Sequence, residues 1–236
     1  MSASILDIPL SSGSDLAAPS LNPSAPAWAG VPVLDIATPA GPPPHSGEGH
    51  FPRVSVRIRA DEAAFHLLYT VEDEEGVQAV ERVLNGQVWL DSTVEFFVRP
   101  AGEARYVNVE INCLGIVHSS RVTDWRRDPE TRVLMDRWIL PETILSRLRI
   151  AHSIPDLPVS REGLPGKTSW ALGYTLPYEM LSEAFEHPVR PRAGDVWHAN
   201  FYKCADESRH PHWLSWSPMP RLAFHDPDNF GTLRFV

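Results

Sequence analysis

Strict apolar/polar alternation, repeated in short runs along the chain, is what most limits how this sequence can fold. In "RYVNVEINC" the residues Val107, Val109, Ile111 and Cys113 fall on one side, and Tyr106, Asn108, Glu110 and Asn112 on the other. That two-residue period belongs to a pleated strand with one face toward a core. "RVSVRIR" places Val54, Val56 and Ile58 in step, and "FHLLYTVED" does the same with Phe65, Leu67, Tyr69 and Val71. Between them "ADEA" makes a hairpin turn. "VEFFV" sets Val94, Phe96 and Val98 opposite Glu95 and Phe97. "SWALGYTLP", "VWHANFYKC", "HWLSWS" and "TLRFV" supply further strands between Pro- and Gly-bearing loops.

Helical signal is confined to "PETILSRL" and "PYEMLSEAF", each about two turns long and each led by proline. Many short alternating strands and two short helices predict an all-β sandwich rather than a parallel α/β fold. The 236 residues, 43% of them hydrophobic, contain no internal repeat or composition break, so one large domain is expected. Residues 1–18, rich in Ser, Ala, Gly and Asp, read as a disordered lead-in, and residues 19–236 as the folded unit. "GPPPHSGEGHFP", Gly41 to Pro52, reads as a loop.

A formal net charge of -9, with no Lys/Arg cluster, opposes nucleic-acid binding. No apolar run approaches the roughly 18 residues of a spanning helix, so no membrane partner is expected. The first residues lack the features of a signal peptide, which fits a cytoplasmic protein or a chain whose leader has been removed. Cys113 and Cys204 permit one disulfide and leave the compartment open.

Parity gathers a distinctive set of side chains. Glu95, Phe97, Asn108, Glu110, His198, Asn200 and Tyr202 all lie opposite the core on their strands. If those strands are neighbours, one sheet face carries carboxylates, amides and phenols together. An outward polar face is ordinarily only solvated, but Asn and Glu are depleted in strands. Such a mixture suits sugars: carboxylates and amides pair with hydroxyls, and an aromatic ring packs on the apolar face of a pyranose.

Glu95 and Glu110 are alternatively an acid and base pair for glycoside hydrolysis, which needs carboxyls at about 5 Å or 6.5–9.5 Å. A structural or interaction sandwich with buried aromatic residues is the third reading. Cys204, Asp206, His210 and His212 are possible metal ligands at a spacing that matches no standard zinc pattern. "VEDEE" offers oxygen ligands without EF-hand spacing. No phosphate loop, nucleophile elbow or evident haem ligand appears, and no organic cofactor is expected.

Four ordered motifs, "VWLDSTVEFFVRP", "YVNVEINCLG", "HANFYKCADESRHPHWLSWSP" and "FHDPDNFGTLRFV", together with "APAWAG" around Trp28, resemble carbohydrate-binding module family 9 and its relatives in polysaccharide-degrading bacteria. The likeness runs from about Pro19 to Val236. It implies an immunoglobulin-like sandwich that holds a glucan or xylan-type chain end between two aromatic rings without catalysis, with structural calcium. By motif, Trp89 takes the place of the first ring and Glu95 of a hydroxyl-binding carboxylate. The second ring falls on Phe224, where family members carry tryptophan. Asn108 stands where they have a basic residue, and Tyr202 where they have an amide. Glu110 and Asn200 complete the expected sugar contacts, and Asp73 is the nominee for calcium. The implied partners are an oligosaccharide or polysaccharide and a separately encoded glycoside hydrolase.

Overall fold

The computed structural model describes residues 3–39, 51–131, 133–156 and 160–236. Most of the loop expected at Gly41–Pro52 therefore lies outside the described residues. The rest builds two facing sheets. One is formed by β2 (Leu34–Asp35), β4 (Arg53–Ala60), β5 (Ala64–Glu75), β10 (Arg149–His152) and β11 (Lys167–Pro177), in the order β10-β11-β5-β4-β2. The other runs β1 (Ile5–Ile8), β14 (Gly231–Phe235), β12 (Val196–Cys204), β6 (Thr93–Arg99), β7 (Tyr106–Asn112), β8 (Val117–Arg127) and β9 (Leu134–Ile139). β13 (Trp213–Ser215) joins β12 to β3 (Thr38–Pro39) at its side. The expected helices are α1 (Glu142–Leu145) and α2 (Tyr178–Phe185), each starting directly after a proline.

Alternation does what the sequence predicts on the inner faces. Phe65, Leu67, Tyr69 and Val71 from one sheet, and Val94, Phe96, Val98, Trp197, Ala199 and Phe201 from the other, are buried in one apolar core. Phe65 lies edge-on to Phe96, Tyr178 and Trp197 at centroid distances of 6.0, 5.1 and 5.7 Å, a geometry that sets the electropositive ring edge on a neighbour's π face. The Tyr69 hydroxyl crosses between sheets to donate to the Glu95 carbonyl at 2.8 Å.

Two local features depart from the sequence reading. The lead-in is structured at Ile5–Ile8, which pairs in parallel with β14 from Ile5↔Thr232 to Ile8↔Phe235. Leu6 and Ile8 are buried while Ile5 and Asp7 face out, and Asp7 receives a two-point contact from Arg234. The strand is short and sits in Ser-rich text, so composition hides its alternation. It also adds one parallel pair to sheets otherwise paired antiparallel.

The second departure is a bulge in β5. Pairing to β11 passes from Val71↔Trp170 directly to Glu74↔Thr168, so two residues of β5 oppose one of β11. Asp73 takes up the extra length with a left-handed backbone (φ 58°), a conformation Asp tolerates better than most side chains. The phase of the strand shifts there. Asp73 turns outward, where its carboxylate meets Arg53 at 3.0 Å, and Glu74 turns into the core.

Gly231 answers to packing at the start of β14. A Cβ there would come within 2.4 Å of the Trp216 indole, so only glycine lets that ring close over the strand.

Candidate functional site

The face of the larger sheet that turns away from the core is covered too. Antiparallel register sets Tyr202 opposite Glu95, Glu95 opposite Glu110, and Glu110 opposite His118, giving one polar row across β12, β6, β7 and β8. The adjacent row is Asn200, Phe97, Asn108 and Ser120. Glu95, Asn108, Glu110, Asn200 and Tyr202 are all buried, so this face is not the solvated surface that bare alternation leads one to expect. A second apolar cluster of Phe97, Tyr106, Val122, Leu134, Tyr202, Met219 and Phe230 fills part of it.

What remains open is a cleft of about 930 Å³, lined by Glu95, Glu110 and Cys204 from the sheet and by Trp89, Trp125, Trp213 and Phe224 from its surroundings. Trp89 lies in a single 3-10 turn at Val88–Leu90, edge-on to His118 at 5.2 Å. Phe224 stacks on Tyr202 with centroids 4.2 Å apart and planes 7° apart, and the Tyr202 hydroxyl donates to the Phe224 carbonyl at 3.0 Å. Trp213 donates its indole N–H to Asp206 at 2.7 Å. The β8–β9 hairpin brings Trp125, Arg127 and Arg137 to the same cleft.

The carboxyls there are perturbed. Burial pushes Glu95 well above the usual carboxylate range, and the neighbouring Glu110 adds to this. Burial raises Glu110 as well, against the opposing charge of His118 and a hydrogen bond from the Asn108 amide. Two adjacent buried carboxyls repel when both are ionised, so each favours its protonated form. The Cys204 thiol, pushed up by burial, donates to Glu95 Oε1 at 2.8 Å. Burial lifts Asp206 to about 6 and depresses His225 to about 3, the latter with help from Arg127 and Arg137. A hydrogen-bonding floor of mixed donors and acceptors between aromatic walls follows.

Of the residues nominated from sequence, Trp89, Glu95, Glu110 and Phe224 line this cleft. Asn108, Asn200 and Tyr202 are not among its lining and hold protein instead. Asn108 accepts from the backbone and hydroxyl of Ser120, both at 2.7 Å. The Asn200 amide donates to the carbonyls of Ser217 and Asn229, and its oxygen accepts from the backbone N–H of Ser217. Tyr202 backs Phe224. Sequence reasoning missed His118, Trp125 and Trp213, and singled out Asp206 only as a possible metal ligand. His118 was within reach: the tight turn at Gly115 (φ 81°) fixes the β7–β8 register, and counting outward from it pairs residue 118 with Glu110.

The possible metal ligands are spread over separate duties. Cys204 meets Glu95, Asp206 meets Trp213, His210 meets Glu75 and His212 lies by Glu74. Among the described residues no group of three or more His, Cys, Asp or Glu side chains converges to hold an ion, and the Asp73 carboxylate is taken up by Arg53. Cys113 and Cys204 are both free and buried.

Comparison with known proteins resolves the fold family. A model of carbohydrate-binding family 9 matches residues 45–235. The chain belongs to that family. A solved structure of a candidate carbohydrate-binding protein from Bacteroides uniformis is 31% identical, with each chain covered over 100% of its length and a TM-score of 0.75. Family 9 modules from Caldicellulosiruptor kristjanssonii, solved with cellotriose and with glucose, share the fold at 12% and 13% identity. Their TM-scores are 0.55 and 0.54, over 98% of this chain in both cases and 93% and 96% of theirs. No curated protein matches the chain. As a member of family 9, the chain is a noncatalytic carbohydrate-binding sandwich.

Proposed function

We propose that the cleft binds one end of an oligosaccharide, with Trp89 and Phe224 packing on the sugar and Glu95, Glu110 and Asp206 meeting its hydroxyls. The observation that carries this reading is the placement of aromatic side chains around the adjacent carboxyls of Glu95 and Glu110 in one cleft. Burial favours the protonated form of these carboxyls, and a protonated carboxyl both donates and accepts, which matches a hydroxyl that gives and takes one hydrogen bond each. Cellotriose and glucose, the ligands of the two Caldicellulosiruptor modules, make glucan and xylan-type oligosaccharides the first class to try. Phe224 offers a smaller platform than an indole, so weaker affinity or a different sugar is expected. A partnership with a separately encoded glycoside hydrolase follows the same logic, because a module without a reaction of its own serves by holding substrate.

Calorimetric titration with cello- and xylo-oligosaccharides tests the assignment. The expected affinity is micromolar to millimolar, since well-hydrated sugars must be stripped of water. Absence of binding by every glycan on an array overturns it. Turnover of an aryl glycoside that disappears in Glu95→Gln favours the catalytic alternative instead.

A further inference from the structure

Trp125 reaches the cleft because its strand is out of step. On β8, His118 pairs with Glu110 and Ser120 with Asn108, and Val122 joins the apolar cluster on the same face. Undisturbed alternation would give the next place on that face to Asp124 and turn Trp125 away. Pairing with β9 instead passes from Val122↔Arg137 to Asp124↔Asp136 and then to Arg127↔Leu134, so β8 gains one residue over its partner at each of two bulges. The first of these reverses the phase of the strand, and Trp125 lines the cleft.

The ring is supported there and left available. Trp125 is half-buried and packs on the cluster that includes Phe97, Tyr106 and Leu134, as Phe224 does, so both rings stand on one apolar bed. Trp213 commits its indole N–H to Asp206, whereas Trp125 has no hydrogen-bond partner among the described residues. Its place along the strand matters as much. Trp89 sits edge-on to His118, and Trp125 follows His118 by seven residues on β8. Even with two residues given up to the bulges, the strand rises roughly 15 Å over that stretch, more than one pyranose ring can cover. The cleft of about 930 Å³ matches this, because an enclosure of that size takes a drug-sized molecule, on the order of two or three sugar rings.

We propose that Trp125 is the platform for a further sugar unit, so that the cleft reads a stretch of chain whose end is held at Trp89 and Phe224 and whose later ring stacks on the β8 indole. This rests on the carbohydrate-binding reading above and names the ligand of that site as an oligosaccharide of about three units or more, with Trp125 setting the preference for length.

The test is a length series titrated by calorimetry into the purified full chain, glucose through cellotetraose and xylose through xylotetraose. In at least one series the trisaccharide is expected to bind about tenfold or more tightly than the monosaccharide. Trp125→Ala and Trp125→Leu should each bring that ratio to within about threefold of unity. Thermal melts check that both remain folded, and the leucine, which keeps apolar contact with the cluster while removing the ring, decides the matter if the alanine variant does not fold. A ratio near unity in the wild-type chain, or one that survives loss of the ring, overturns the inference and leaves carbohydrate binding standing. Absence of binding at every length in both series overturns it together with the glucan and xylan reading on which it rests.

Discussion

Lys203 and Glu74 form an ion pair across the interior, Nζ to Oε1 at 2.9 Å, with both side chains fully excluded from solvent. Lys203 comes from β12 and Glu74 from the far end of β5, so the pair joins the two sheets. Further hydrogen bonds hold the pair: Lys203 also donates to the Cys204 carbonyl, while Glu74 accepts from Ser92 and from the Trp170 indole. Removing one partner strands the other. Lys203→Met and Glu74→Gln are each expected to lower stability by about 3–5 kcal/mol, and the double variant by less than the sum. Urea unfolding of the four species measures the coupling.

The same pair gives stability a signed pH dependence. Burial alone would raise the Glu74 pKa, but the charges of Lys203 and His212 and the hydrogen bonds to Lys203 and Ser92 outweigh it and hold it low. A carboxyl depressed in the folded state contributes stability that is present above its unfolded value, about 4.3, and lost as pH falls through the folded value. Glu95 runs the other way. Its folded pKa is raised, so its unfavourable contribution is absent below about pH 4.3 and grows as pH climbs. Glu95→Gln is expected to raise stability at pH 8 and flatten the decline between pH 5 and 8, read from thermal melts across that range.

Binding and folding roles separate on the cleft face. Trp89→Ala should weaken glycan binding about tenfold or more with little change in melting temperature, since the ring is half-exposed. Asn200→Ala should do the reverse. It leaves the Ser217 backbone N–H without its partner in a buried setting and is expected to cost on the order of 2 kcal/mol or more. Calorimetry and melts on the same two proteins decide between these roles.

The parity of β1 is testable residue by residue. Ile8, 1% exposed, should lose about 2–4 kcal/mol on replacement by Ala. Ile5, 60% exposed on the same strand, should lose little. Equal effects at the two positions would contradict the pairing of β1 with β14.

Both thiols are expected to be silent in the native state. Burial pushes Cys113 and Cys204 upward and encloses them, so a thiol reagent should count none before unfolding and two after.

The architecture was readable from sequence wherever alternation ran undisturbed, as in β4, β6, β7, β11 and β12. Glu74 escaped because its inward turn depends on the bulge at Asp73, and a single extra residue reverses every parity assignment beyond it. The hairpin of β8 and β9 escaped for another reason. "SSRVTDWRRDPETRVLMDRW" lacks clean alternation, and Val133, Met135 and Trp138 are exposed. In the cleft, Trp89, Glu95, Glu110 and Phe224 were legible from parity and motif together. Asn108 and Asn200 share the right face but are consumed by the backbone, a distinction that needs tertiary contacts to see.

Phe224 reaches the cleft already pressed flat against Tyr202, with its own carbonyl fastened by that tyrosine's hydroxyl. A platform fixed on two counts has little rotational freedom left to surrender when a guest arrives. Discrimination at this wall should therefore act by shape, turning away rings whose substituents collide with a surface that does not yield.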